Sequence, residues 1–529
     1  MVDGQLNAPV EAEKVDELNE IKKAVEDGEK ILERYMIESD GVKTEVNIVI
    51  KDHIKIYKLI VPEMDIATIA LIDDIKEKLI GAVEVNATEI FDPKLLGELK
   101  KELRGDAGTL IDEELPNLSP EIKEHFIVTL IHDLLGLGDI EFLLDDNHVE
   151  EVVVNSAKEP VMIYHKNYGW LRTNLKPESE AQISNYANII ARRVGREITT
   201  LNPLLDAHLM TKDRANAILA PIATKGNTIT IRKFARDPWT ATDFIKNRTA
   251  NSRVLALIWF CIQYEMNILI SGGTGSGKTS FLNVCMPFIP PNHRIVSIED
   301  TRELQLPKFL YWCPLTTRPP NPEGKGEVTM LDLVVNSLRM RPDRIIMGEI
   351  RRQREAEVLF EAMHTGHSVY ATLHADTCEQ TINRLVNPPI NIPLSMLGAV
   401  HLNVVMFRDR RRSIRRIFEI GEFVEKVGDR REITFNARLL YRWNPKDDVI
   451  VAIEKENIDL YHKIGIHTGF SRDEINQEID MKRRILEWMV EHDVRKIEDF
   501  GKVMNRYYTD MQTVIDLVNN NADPSPVLK

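Results

Sequence analysis

The chain is poor in the residues that staple small folds. Its 529 residues include four cysteines, Cys261, Cys285, Cys313 and Cys378, and none forms a C-x-x-C pair. That pattern indicates neither a disulfide framework nor a structural zinc, and it fits a reducing cytoplasm. A long apolar run is also lacking. The stretch Val254 to Ile262 soon meets Gln263 and Glu265, far short of the roughly 20 apolar residues a spanning helix needs. The start, MVDGQLNAPVEAEK, has no basic-then-apolar pattern, so no secretory leader is expected. Positive charge is in deficit, with a formal net charge of -14. A duplex binder normally neutralises many phosphates with Lys and Arg, so no nucleic-acid partner is expected. Internal repeats and low-complexity segments are absent from the sequence.

What remains is the composition of a globular protein, 43% hydrophobic and 28% charged, too long for a single ordinary core. Acidic residues crowd residues 1–40, from Asp3 to Asp40. They read as a solvated helix over Val15 to Met36, or as an acidic docking arm for a partner. Residues 1–118 form a first N-terminal region, closed by the helix-breaking Leu115-Pro116-Asn117-Leu118-Ser119-Pro120. Residues 119–235 read as an α+β module, with strand-like runs at Val152 to Val154, Val161 to Tyr164 and Thr228 to Arg232. A linker is expected over 236–250, around Pro238. From 251 to 529 strands alternate with helices, and β-like runs and a helical tail follow. The alternation predicts a mostly parallel, doubly wound sheet.

Within that last region Gly272-Gly273-Thr274-Gly275-Ser276-Gly277-Lys278-Thr279 fits G-x-x-x-x-G-K-[ST]. The glycines let successive N–H groups point inward at phosphate oxygens. The helix that opens at Lys278 and continues through Ser280 adds its positive end. Lys278 supplies a cation to the β- and γ-phosphates of ATP, and Thr279 a hydroxyl to Mg²⁺. A second strand, Ile295 to Ile298, ends in Glu299-Asp300-Thr301-Arg302-Glu303, at the edge where such sheets bind ligands. A third, Ile345 to Met347, ends in Gly348-Glu349. The usual Asp-then-Glu pair is incomplete there, so Glu349 is expected to reach Mg²⁺ through water. His367 and His374 flank a fourth strand, Ser368 to Leu373. An ideal strand would send them to opposite faces, with His374 at the ligand edge, able to sense the γ-phosphate, and His367 at the far end.

GGTGSGKT, IEDTREL, RPDRIIMGEIR and TGHSVYATLHADT, in that order, resemble the phosphate loop, Asp box, Walker B element and His box of the type II/type IV secretion and pilus-assembly ATPase superfamily. The resemblance implies a RecA-like P-loop NTPase domain, an α+β N-terminal domain and a homo-hexameric ring. It casts Glu303 as the base that orients water, with Glu299 and Asp300 in support, Glu349 acting through Mg²⁺, and His367 with His374 near the nucleotide. It also implies that Arg214 or Arg232, in RANAILAP and TIRKF, is lent to the phosphates by the N-terminal domain. The four-cysteine zinc module of bacterial type II members is missing, the acidic extension and tail are long, and Walker B runs on as Glu349-Ile350-Arg351-Arg352. These features look most like the archaeal branch, and within it the archaellum motor ATPases. The implied partner is an integral membrane platform protein, with other filament-motor components at the cytoplasmic face, and the implied location is cytoplasmic and peripheral to the membrane. Pilus assembly or type II-like secretion shares these motifs. A RecA-like nucleic-acid translocase is a reading of another class, which the acidic charge and the Asp-box/His-box pair oppose. Retention of Lys278, Thr279, Glu303 and Glu349 opposes a non-catalytic scaffold.

Overall fold

The computed structural model describes residues 29–62, 65–82, 93–209, 211–234, 238–320, 324–412, 414–427, 433–454, 456 and 458–528. Most of the acidic N-terminal arm falls outside these residues. The chain divides into two compact units, 1–235 and 236–529.

The first unit is built on a nine-stranded sheet. Its strands are β1 (Lys30–Ser39), β2 (Val42–Lys51), β3 (Ile54–Ile60), β4 (Val149–Val154), β5 (Met162–His165), β6 (Gly169–Thr173), β7 (Leu204–His208), β8 (Arg214–Ile218) and β9 (Thr228–Arg232). They lie in the order β1-β2-β3-β6-β5-β4-β9-β8-β7. The helix expected to run to Met36 is instead a strand from Lys30 onward. Asp40-Gly41, both with positive φ, make the tight turn that returns β1 antiparallel onto β2. That Asp-Gly turn between β-prone runs is a strong hairpin signal, and pairing against the buried Val46 and Ile48 outweighs a weak helical period.

The expected boundary at 118 also shifts. The helix does break there, and Ser119 caps the next one, Pro120–Leu135, by accepting from Ile122 N–H. Yet Ile75, Leu103, Ile111, Phe126 and Leu130, from helices on both sides of the break, share one buried cluster, and β3 pairs with β6 across it. Residues 1–118 therefore supply strands to the same sheet as the module that follows.

The second unit holds β10 (Ile268–Gly272), β11 (Arg294–Glu299), β12 (Tyr311–Thr316), β13 (Arg344–Met347), β14 (Ser368–Leu373), β15 (Leu402–Asp409), β16 (Ile414–Val427), β17 (Ile433–Asn444) and β18 (Val449–Ala452). Their order is β12-β11-β13-β14-β10-β15-β16-β17-β18. From β12 to β15 the neighbours pair parallel. Beyond β15 they are antiparallel. β10, β13 and β14 are buried throughout, as expected of parallel strands covered on both faces. The helix Ser252–Gln263 and the tail helices share one buried cluster, and Gln353–His364 belongs to the other. The α/β, doubly wound expectation thus holds for the core.

The 236–250 linker expectation is corrected. Among the described residues of this stretch, the helix Ala241–Lys246 buries Ala241 and Phe244 in the second unit's core. Thr242 donates its hydroxyl to Val494 O at 2.6 Å, and Arg495 donates to Asp243 at 2.6 Å. Tethered to the tail at two points, it is part of the domain.

Candidate functional site

The strand order decides which loops meet. β10 lies centrally, with β14 on one side and β15 on the other, and β13 beyond β14. Parallel strands end at one edge of the sheet, where ligands bind. The loops after β10, β11, β13, β14 and β15 therefore come together there.

The phosphate loop has the backbone its glycines allow. Gly272, Gly275 and Gly277 have φ of 145°, 71° and 95°, values that L side chains rarely adopt. Gly277 caps the helix Lys278–Cys285 without a side-chain bond, leaving its N–H groups to a ligand. Lys278 folds back and donates from Nζ to Gly272 O at 2.9 Å and Gly273 O at 3.0 Å. The Ser276 hydroxyl is buried with no partner in the structure. A free helix start, an unpartnered hydroxyl and a cation parked on its own loop together fit a polyphosphate. Thr274 and Ser280 are exposed, and Thr279 is half-buried beside Lys278.

Burial lowers the Lys278 pKa, while Glu349, Asp376 and Glu303 oppose the shift by their charge. Three carboxylates from three loops thus place their charge near one ammonium. Lys278 Nζ also lies 3.3 Å from His374 Nδ1. An ammonium can only donate, so Nδ1 accepts and Nε2 carries the proton. That Nε2 is 3.1 Å from Glu349 Oε1. Glu349 Oε2 in turn accepts from Arg351 Nε at 2.9 Å and Nη2 at 2.7 Å, and Arg351 Nη1 donates to Asp300. A chain of contacts therefore runs Lys278–His374–Glu349–Arg351–Asp300, joining the phosphate loop, the end of β14, the end of β13 and the end of β11. Thr279, Glu349 and Asp300 supply hard oxygen donors of the kind Mg²⁺ takes alongside phosphate, so the donor set fits that ion.

Glu299 is buried, and its Oε1 accepts from Glu303 N–H at 2.9 Å and Leu304 N–H at 3.1 Å. It pins the loop that carries Glu303. Burial pushes its carboxyl up to about 7; the two N–H bonds oppose the shift and the Glu303 charge adds to it. The folded value lies above the unfolded one, so the folded state resists ionisation. Stability is unaffected well below the unfolded value of 4.5, falls as pH rises toward about 7, and is level above that. The loss above pH 7 is bounded at about 3 kcal/mol. Glu299→Gln is expected to raise the melting temperature by several degrees at pH 8 and much less at pH 5. An equal gain at both values would refute the assignment.

His367 is placed differently from the expectation of a nucleotide contact. It lies at the N-terminal end of β14, with Nδ1 3.3 Å from both Ala362 O and the Thr365 hydroxyl. The strand between it and His374 spans roughly 20 Å, so within this unit the two histidines serve different ends. Arg214 and Arg232 belong to the first unit, on β8 and β9, where they are cross-strand partners. Both are exposed. Arg214 donates to Asp206 from Nε at 3.0 Å and from Nη2 at 2.7 Å.

Four residues at the edge escaped the sequence reading. Asp376 Oδ1 lies 3.1 Å from the point where a Gly273 side chain would start. Arg351 links two acidic loops. Arg408 and Arg415 flank Gly275. Asp376 lies inside the quoted TLHADT run and Arg351 inside GEIR, so position in a motif was an available signal for those two. For Arg408, near the end of β15, and Arg415, at the start of β16, the signal was the arginine-rich FRDRRRSIRR.

The model of the type II/IV secretion system protein family matches residues 150–406. An uncharacterized protein of Methanocaldococcus jannaschii is 37% identical over 395 residues, covering 73% of this chain and 69% of that protein. A putative conjugal transfer protein of Mycobacterium tuberculosis is 32% identical over 251 residues, 46% of this chain and 70% of that one. Among solved structures, the VirB11 ATPase of the Brucella suis type IV secretion system is 25% identical, with a TM-score of 0.28, covering 53% of this chain and 90% of that one.

Proposed function

The chain belongs to the type II/IV secretion system protein family, and on that premise we propose that it is a motor ATPase subunit driving assembly of an archaellum-type surface filament. The observation that carries the ATPase reading is the run of contacts from Lys278 through His374 to Glu349 beside a phosphate loop with a free helix start.

Backbone N–H groups of the loop and the Lys278 helix bind the phosphates. Lys278 exchanges its two loop carbonyls for phosphate oxygens. Glu303, held by its own N–H on Glu299, accepts the proton of the attacking water at its carboxylate. Thr279, and Glu349 through water, would hold Mg²⁺, which supplies neutralising charge to the β- and γ-phosphates. Arg351 holds Glu349 and Asp300 in one fork, and His374 ties Glu349 to Lys278, so a phosphate that draws Lys278 away disturbs the whole chain of contacts. That supports a site whose acidic loops respond to nucleotide.

We further propose a homo-hexamer, with Arg214 and Arg232 acting on bound nucleotide and an integral membrane platform protein as partner at the cytoplasmic face. The register that places the two arginines side by side on exposed positions supports their acting together. Among the described residues no helix is long and apolar enough to cross a membrane, which is compatible with peripheral attachment. The missing four-cysteine module and the helical tail, Asp459–Thr468 through Met511–Asn519, support the archaeal branch, within which the archaellum is the system proposed and pilus assembly or type II-like secretion the alternative.

Gene deletion scored separately for swimming, adhesion and secretion tests the cellular reading. Loss of swimming with adhesion and secretion intact supports it, and the reverse pattern reassigns the motor to pili or secretion. Arg214→Ala is expected to lower ATP turnover by about tenfold or more in the full-length assembly. Unchanged turnover removes Arg214 from the site.

A further inference from the structure

We propose that Arg408 and Arg415 form a nucleoside-side clasp, holding the base and ribose of the nucleotide from within the same unit as the phosphate loop. The proposal rests on the reading of that loop as a nucleoside triphosphate site.

β15 runs parallel beside β10, with Met406 opposite Gly272. The chain leaving β15 therefore emerges at the level of the phosphate loop. β16 returns antiparallel, and the register pairs Arg408 with Arg415. Cross-strand partners project to the same face, so two guanidinium groups share one spot. Arg415 donates from Nε to Gly275 O at 3.2 Å, and its Cδ lies 3.3 Å from where a Gly277 side chain would start. Arg408 Nη1 lies 2.7 Å from the corresponding point at Gly275. Any side chain at Gly275 would meet that guanidinium. Neighbouring Arg416 differs: it is buried and donates to Asp448 from Nε at 2.7 Å and Nη2 at 2.8 Å, a structural pair.

The direction of the nucleotide follows from the sheet. His374 and Glu349, which face Lys278, stand at the ends of β14 and β13, on one side of β10. β15 is on the other side. A triphosphate whose γ-phosphate meets Lys278 and Glu349 extends its opposite end toward β15. That end carries an aromatic base and a ribose. Guanidinium planes stack on aromatic faces and donate to hydroxyls, which a lysine ammonium does less well. Stacking reads a π-face rather than an edge, so the clasp takes adenine and guanine nucleotides alike.

The test compares ADP, GDP and inorganic tripolyphosphate on full-length protein by titration calorimetry, for wild type, Arg408→Ala, Arg415→Ala and the two lysine variants. The alanine variants are expected to bind ADP and GDP about tenfold more weakly while tripolyphosphate stays within about twofold, which also certifies a folded loop. Lysine variants are expected to stay weakened. Parallel loss of ADP and tripolyphosphate, unchanged ADP binding, or full recovery with lysine would each overturn the clasp. If an alanine variant fails to fold, the lysine pair decides by the same comparison. Wild-type protein that binds neither ADP nor tripolyphosphate would instead sink the phosphate-loop reading itself.

Discussion

Lys278→Ala is expected to abolish tight ATP binding and to lower turnover by about 100-fold or more. The magnitude is that of removing one preorganised charge from a phosphoryl-transfer site. The side chain is buried, its Nζ is shared among Gly272 O, Gly273 O and His374 Nδ1, and three carboxylates place their charge near it. Removing the ammonium leaves Glu349, Asp376 and Glu303 opposing the phosphates with no cation between them. The helix should survive, because alanine is a strong helix former. Calorimetry with ATP and a steady-state phosphate assay measure the two effects, with circular dichroism to monitor folding. Hydrolysis at the wild-type rate would remove the site from this loop.

Glu303→Gln separates binding from chemistry. The amide keeps the shape and removes the proton acceptor, so ATP should bind with unchanged affinity while turnover falls about 100- to 10,000-fold. Glu299 is the control. It is buried and already serves the backbone of Glu303 and Leu304, so its glutamine variant is expected to act mainly on stability. A wild-type rate in Glu303→Gln would move the base elsewhere, and Glu349 is the next carboxylate facing Lys278. A rate loss matched by an equal loss of ATP affinity would place Glu303 among the binding groups.

The parts of the site that were legible are those in which chemistry sits within a few covalent bonds. Gly272 to Thr279 is a contiguous loop whose glycines are required by its own dihedral angles, so residue type reveals geometry. Strands β11, β13 and β14 announced themselves as apolar runs because parallel strands are buried on both faces, and the acidic residues after β11 and β13 marked the ligand edge. Motif resemblance then assigned candidate roles that spacing alone left open. Expectations failed where a local pattern competed with distant pairing. The charged run before Asp40 has a helical look, yet the Asp-Gly turn and the partner strand β2 decide it. The prolines near 118 suggested a boundary and Pro238 a linker, yet the segments after them are tied down by capping at Ser119 and by contacts from Val494 and Arg495. His367 sits within a quoted motif, and the length of one strand keeps it from His374.

By itself, then, the sequence determined that this chain has a phosphate loop opening a helix, acidic strand ends downstream of it, an α/β order of elements and a long helical tail, because each of these is a short-range property of neighbouring residues. Only the tertiary structure decided who meets at that loop. Lys278 and Glu349 are 71 positions apart in the numbering, and β14 must insert between β10 and β13 for His374 to bridge them. Arg351 must cross from one loop to another to hold Asp300. Arg408 and Arg415 reach Gly275 because β15 chose the free side of β10. Such contacts follow from strand order, which is set by how whole layers bury their apolar faces and not by any local run of residues.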